Sequence, residues 1–137
     1  MAYVIPKKAM PDSALHRLRL HGIIVEEAGS FAVEGASVFA IDSVVRRGNP
    51  FQGHVEVRLE GAWKDDPSYR VADGAYIVRT SQPLGVLAVE LLEAQSDDGL
   101  VTWNFFDASI DEAVKAGRTF AVVRATRPLR VPTRIVP

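Results

Sequence analysis

Hydrophobic and polar positions along this chain follow two different periods, which predicts strands and helices within one domain. Residues 54–60 show the period of a strand, because Val55, Val57 and Leu59 alternate with polar residues. Residues 84–92 show the period of a helix, because leucine or alanine recurs at positions i, i+3, i+4, i+7 and i+8. We therefore expect a half-buried antiparallel strand and a leucine-faced helix that packs on the sheet.

Other apolar runs predict further strands, at Tyr3–Ile5, Ile23–Val25, Ser37–Arg47 and Thr119–Arg124. A hairpin is predicted where Asp73 and Gly74 separate residues 69–71 from residues 75–79. A turn is expected over residues 64–67.

Two more helices are indicated by their start and stop signals. One begins at Asp12 or Ser13 and ends at Gly22, and a short one begins with the Ser109–Glu112 capping box and ends at Gly117. The predicted fold class is α+β, with an antiparallel β-sheet or small β-sandwich, two main helices and one short helix.

Length and composition fit one domain whose net charge is too small to attract a strongly charged partner. The chain has 137 residues, 47% of them hydrophobic, and a net charge of −1, which gives no field that attracts nucleic acid or a membrane. Residues 1–126 are expected to form a single domain, and residues 127–137, which contain proline and arginine, an extended tail.

The absence of certain residues and segments narrows the chemistry and the location. There is no cysteine, which excludes disulfides, thiolate metal sites and a cysteine nucleophile. No apolar run is long enough for a signal peptide or a membrane span. We expect a cytoplasmic protein if the chain is complete, whereas the location of a longer parent protein is unknown.

Four residues are candidates for binding a ligand or partner: Asp97, Asp98, Trp103 and His54. The two aspartates precede Gly99, but the following residues do not continue a calcium-binding loop, so a hydrogen-bonded turn is the favoured interpretation. Trp103 is expected in the core and His54 on a solvated strand face. Two alternatives stay open: a small-molecule or peptide pocket lined by Trp103, Tyr76 and Trp63, and a small hydrolase that uses His54 with Asp97 or Asp98.

The residues from Gln82 to Asp107 resemble a pattern near the C-terminus of bacterial zinc carboxypeptidase-like proteins, which are metallopeptidases of the carboxypeptidase A type. The pattern combines a Gln-Pro-Leu helix, an acidic Ser-Asp-Asp-Gly-Leu turn and an aromatic run ending in Phe-Phe-Asp. Shorter segments are similar too, and together the resemblance spans residues 2–126: Ala2–Pro6, Leu18–Gly22, Phe51–His54 and Glu60–Gly61.

The resemblance implies a module without catalytic residues of its own. In that family an upstream domain binds zinc through an HxxE pair and a distant third histidine, whereas here His16, His21 and His54 are followed at +3 by Arg19, Ile24 and Val57. No catalytic residue, metal ligand or cofactor is therefore expected. The implied function is that of a non-catalytic accessory or interaction module. Its expected partner is a peptidase domain, or a second copy in a homodimer.

Overall fold

Nine strands, three α-helices and one short 3-10 helix make up the chain, and the computed structural model describes all residues from 1 to 137. The strands are β1 (Ala2–Pro6), β2 (Glu26–Ala28), β3 (Phe31–Ala32), β4 (Ala36–Arg46), β5 (Val57–Asp65), β6 (Arg70–Val71), β7 (Ala75–Arg79), β8 (Val123–Ala125) and β9 (Arg134–Ile135). The helices are α1 (Asp12–Leu20), α2 (Gly85–Leu92) and α3 (Asp107–Lys115), and the 3-10 helix is Lys7–Ala9.

Seven of the strands form one antiparallel sheet, in the order β5-β4-β8-β1-β7-β2-β9, and β3 pairs with β6 in a separate ribbon. The α+β class with an antiparallel sheet is thereby confirmed. The three helices have nine, eight and nine residues.

The central strand β1 divides its side chains between two apolar cores. Tyr3 and Ile5 belong to a core of 22 buried residues on the helix side of the sheet. Ala2 and Val4 belong to a core of 12 buried residues on the opposite side. Because alternate residues of a strand point to opposite faces, this five-residue strand contributes to both cores.

The larger core is closed by the three helices. Leu18 of α1, Leu92 of α2 and Ile110 of α3 are each at most 1% exposed. Burial of each such side chain is worth about 1.5–3 kcal/mol relative to exposure, so the helices are held mainly by this face. The helical face predicted for residues 84–92 is confirmed except at Leu84, which precedes α2 and remains 38% exposed.

The smaller core is covered by the β3–β6 ribbon and by the C-terminal tail. Phe31 and Val71, which pair across the ribbon, and Leu129 from the tail are all buried there. The tail then adds β9 to the edge of the sheet, where Arg134 lies opposite Glu27 of β2. Within the tail of residues 127–137, only Arg134 and Ile135 pair with the sheet.

Several predicted strand positions are wrong. Residues 23–25 form a connection rather than a strand. The next strand, β2, begins at Glu26. β5 begins at Val57, so His54 lies before the strand, and β5 continues to Asp65, inside the predicted turn. The predicted strand over residues 119–124 is reduced to an isolated bridge at Thr119 and the short β8.

The predicted hairpin around Asp73 and Gly74 is also wrong. β6 pairs with β3 in the ribbon, whereas β7 pairs with β1 and β2 in the main sheet. Ile77 and Val78 of β7 are both fully buried, one in each core. A strand that is buried on both faces is stabilised more by a central position in the sheet than by pairing in a local two-stranded hairpin.

The two predicted helix ends at Gly22 and Gly117 agree with the structure, whereas the side-chain caps predicted at the two helix starts are wrong. Gly22, with φ of +82°, ends α1, and the N–H of Ile23 donates to the carbonyl of Leu18 at 3.1 Å, as in a Schellman motif. However, α1 has Pro11 as its N-cap, with no side-chain cap from Asp12 or Ser13. α3 begins at Asp107, ahead of the expected Ser109 cap.

Candidate functional site

A groove of about 420 Å³ lies between α1, α2 and the loop of residues 96–106. Its floor is apolar and its rim carries groups of both charges, which is the usual character of a ligand or peptide site. We call it the tryptophan groove, and it is lined by Arg17, His21, His54, Leu87, Glu90, Leu91, Asp98, Gly99, Leu100, Trp103 and Phe105.

Trp103 stands in a chain of tight turns. Residues 100–106 are all in turns, and Asn104 has φ of +71°. The N–H of Phe105 donates to the carbonyl of Leu100 at 3.0 Å, which curls the segment back on itself. Leu100 and Phe106 are thereby buried, while the Trp103 ring stays half-buried at the groove.

The Trp103 ring has a partner on each exposed side. Its Nε1–H donates to a carboxylate oxygen of Asp98. The ring of His54 meets it in a T-shaped arrangement with centroids 5.9 Å apart, and the Phe51 ring lies 6.4 Å away. This geometry fixes the indole plane at the groove mouth.

His54 is held at the groove by its backbone and by one side-chain contact. Its backbone N–H and C=O both bond to Phe51, at 2.9 and 2.7 Å, which closes the tight loop of residues 51–54. Its Nδ1 lies 3.2 Å from the side-chain oxygen of Asn104. No hydrogen bond or ion pair joins His54 to Asp97 or Asp98.

The two aspartates diverge. Asp98 turns toward Trp103 in the groove, whereas the Asp97 side chain is 93% exposed and faces Arg58 of β5 at 3.8 Å. Asp97 lines a different, polar cavity of about 410 Å³ with Arg47 and Glu56. The structure therefore brings His54, Asp98 and Trp103 together and leaves Asp97 apart.

The helical wall of the groove escaped the sequence-based reasoning. The guanidinium of Arg17 lies 5.3 Å from the centre of the Phe105 ring, a cation–π contact. His21 and Glu90 complete the wall, and Glu90 accepts a hydrogen bond from Ser96 at 3.0 Å. None of these residues was a candidate from the sequence, because only the packing of α1 beside α2 places them at one opening.

An exposed apolar rim continues from the groove along the same side of the molecule. Leu84 Cδ1 lies 3.3 Å from the position of a Cβ built on Gly22, and Gln82 bonds to both backbone groups of Ile24, at 2.7 and 3.0 Å. Leu84 and Ile24 are 38% and 43% exposed, and Val86, at the start of α2, is 88% exposed. Neighbouring exposed apolar side chains of this kind mark interaction surfaces.

A second aromatic and charged cluster lies inside the protein. The Tyr3 hydroxyl donates to Glu93 at 2.5 Å, Arg124 donates two hydrogen bonds to the same carboxylate, and the Arg124 guanidinium covers the Trp63 ring at 3.8 Å. Burial and the adjacent Glu93 carboxylate raise the pKa of Tyr3 well above its usual range. We call these four residues the Tyr3 cluster.

The aromatic pocket considered from the sequence combined Trp103 with Trp63 and Tyr76. In the structure Trp63 packs edge-on against Phe39 with ring centroids 5.4 Å apart, and Tyr76 lies under the Lys7 ammonium at 5.7 Å. These contacts differ from those of Trp103, so the three rings do not define one pocket.

Comparisons with known proteins add no assignment to this fold. A scan against protein-family models, a search of curated proteins and a search of solved structures each gave no significant match. Within the structure, no group of three or more His, Cys, Asp and Glu side chains is placed to hold a metal ion. No helix has the length and apolar character that crossing a bilayer requires.

Proposed function

We propose that this chain is a non-catalytic interaction module, and that it packs against a zinc carboxypeptidase-like peptidase domain through the tryptophan groove and its apolar rim. The nature of the partner follows from the resemblance of residues 2–126 to the C-terminal region of those proteins. The observation that carries the proposal is the exposed apolar surface at the start of α2: Val86 is 88% exposed, and Leu84, which lies against Gly22 next to His21 of the groove, is 38% exposed.

The groove offers both kinds of contact that a protein interface uses. Leu87, Leu91 and Leu100 supply an apolar floor, which contributes affinity when a partner side chain covers it. Arg17 on one wall and Asp98 on the other supply opposite charges, which orient a partner.

The positions of the titratable groups favour binding over acid–base chemistry. A general base works within hydrogen-bond reach of its partner, at about 2.6–3.2 Å. Nδ1 of His54 contacts an amide oxygen, and Asp98 accepts from an indole N–H. Each group is thus engaged by a neutral neighbour that orients it, and no observation favours the hydrolase alternative.

A small-molecule or peptide ligand is the second candidate, because the groove volume of about 420 Å³ falls in the range of ligand pockets. Under that function a short peptide would occupy the floor between Trp103 and Leu87 without covering Val86.

The test is calorimetric titration of the purified chain with a zinc carboxypeptidase-like catalytic domain from the same organism. We expect binding that Val86→Asp weakens at least about tenfold, since a buried valine is worth about 1.5 kcal/mol and a charge in its place adds repulsion from the apolar surface. Val114→Asp is the matched control, because Val114 is a partly exposed valine on α3, which contributes no residue to the groove.

Two outcomes contradict the proposal. If both variants bind like the wild-type chain, or if no binding occurs, the rim is not the contact surface for this partner. If the purified chain with zinc removes C-terminal residues from peptides, the module is catalytic after all.

A further inference from the structure

One half of the edge strand β5 has backbone groups without partners. β5 is the outermost strand on its side of the sheet and pairs with β4 only. In β4, the carbonyl of Phe39 accepts from Phe120 and the N–H of Ile41 donates to Arg118, so both residues face away from β5. Trp63 and Gly61 lie opposite these two residues. In an antiparallel ladder their own N–H and C=O groups must therefore point outward.

The first half of this edge is already covered by the loop that follows α2. The N–H of Val57 donates to the carbonyl of Thr102 at 3.3 Å, and the Gln95 side chain donates to the carbonyl of Leu59 at 3.1 Å. Both contacts confirm that the odd-numbered residues of β5 face outward. No such contact covers Gly61, Trp63 or Asp65, whose outward groups have no protein partner.

Proteins rarely leave such an edge open, because it is a template for another strand. Residues 61–65 read Gly-Ala-Trp-Lys-Asp, with no proline and with Lys64 and Asp65 as their only charged residues. The open segment is five residues long. Its free positions, where the backbone N–H and C=O groups have no partner, are Gly61 and Asp65 at the ends and Trp63 at the centre.

This segment is complementary to itself. If two copies pair antiparallel about Trp63, Gly61 lies opposite Asp65 of the second copy, and Trp63 lies opposite its own counterpart. Each of these three pairs exchanges two backbone hydrogen bonds, so every outward group from 61 to 65 gains a partner. Lys64 then lies opposite Ala62, so no like charges face each other directly within the segment.

We propose that residues 61–65 of β5 form the contact of a symmetric homodimer in which the sheets of two copies join edge to edge. A second copy is the partner that the geometry selects, because the two-fold operation maps each free position onto another free position. The contact is small and belongs to the weak class of interfaces. The contact uses a surface separate from the tryptophan groove, so its test is independent of the test of the proposed function.

The exposed residue Ala62 provides the decisive test, because the proposed register sets it opposite Lys64 twice per dimer. Sedimentation equilibrium up to about 1 mM should show a monomer–dimer equilibrium for the wild-type chain. Ala62→Glu creates two opposite-charge pairs and should strengthen the dimer about twofold to thirtyfold, whereas Ala62→Lys should weaken it by a similar factor. A strictly monomeric wild type, or equal effects of the two variants, overturns the proposal.

Amide hydrogen exchange and one proline variant add independent readouts. Exchange at Gly61, Trp63 and Asp65 should slow as protein concentration rises, while exchange at Ala62 and Lys64, which face β4, should not change. Asp65→Pro removes only an outward N–H and should abolish the dimer, whereas Asp65→Asn should retain it. A dimer that survives Asp65→Pro, or one that is broken by Val86→Asp instead, contradicts the proposed contact.

Discussion

The Tyr3 cluster and the tryptophan groove are built from the same kinds of side chain, yet they differ in how completely those side chains satisfy one another. In the Tyr3 cluster, Glu93 accepts from both Tyr3 and Arg124, and Arg124 in turn covers Trp63. In the groove, Trp103 and Asp98 form a single hydrogen bond at an open mouth.

This difference predicts which of these residues stabilise the fold and which remain available for binding. The carboxylate of Glu93 is 18% exposed and closes a contact between the end of α2 and the strands β1 and β8, so its bonds contribute to folding. The groove residues retain exposed apolar surface, which gains free energy only when another molecule covers it. Substitutions in the cluster should therefore change stability, and substitutions in the groove should change binding.

The largest expected effect is that of Glu93→Ala. It removes the acceptor of Tyr3 and the counter-ion of Arg124, and should lower the free energy of unfolding by about 3 kcal/mol. Urea denaturation measures it. Glu90→Ala is the matched control three residues earlier in α2, because the only side-chain hydrogen bond of Glu90 is from Ser96, and it should cost less than about 0.5 kcal/mol. Equal losses from the two variants would show that the cluster does not stabilise the fold.

Tyr3→Phe should have a smaller and pH-dependent effect, of about 1–2 kcal/mol at neutral pH. The pKa of Tyr3 is raised in the folded state above the ordinary 10.0, so the unfolded chain loses this proton first as pH rises. The stability that Tyr3 contributes is thus fully present below pH 10.0 and declines above it. The stability difference between wild type and Tyr3→Phe should shrink there by about 1.4 kcal/mol per pH unit. Parallel curves of stability against pH for the two proteins would contradict the buried, hydrogen-bonded hydroxyl.

Trp103→Phe should have the smallest effect on stability. It keeps an aromatic ring beside His54 and loses the Nε1–H donor to Asp98 together with one ring of the half-buried indole, which costs about 1 kcal/mol. Thermal unfolding measures it against Trp63→Phe, which disturbs the packing on Phe39 and Arg124 and should cost more. A larger loss from Trp103→Phe than from Trp63→Phe would reverse the assignment of the two regions.

Features encoded over a few neighbouring residues were predictable from the sequence. The α+β class, the long β4, the apolar face of α2 and the end of α1 at Gly22 each follow from local period or backbone chemistry. The hairpin predicted from Asp73 and Gly74 is wrong because the pairing of β7 is not determined by neighbouring residues. β7 pairs with β1, 69 to 77 positions away along the chain, because burial between two cores outweighs a local turn preference.

In the candidate site, too, the features that are local in the sequence were predictable and those that depend on tertiary packing were not. Asp98 and Trp103 are five residues apart, and their joint placement in one acidic turn and aromatic run made both identifiable as candidates. Their hydrogen bond depends on the consecutive turns at residues 100–106. Arg17 and His21 reach the groove only through the packing of α1 beside α2, for which no local pattern exists.

We propose that the groove side of the molecule binds a partner while the Tyr3 cluster only supports the fold. The most direct test is a backbone amide chemical-shift map of the labelled chain as an unlabelled zinc carboxypeptidase-like catalytic domain is added. We predict that the perturbed amides concentrate at residues 82–91 and 98–105, with β1 and β8 unchanged. Perturbations confined to other surfaces, or none at saturating partner, would contradict the claim.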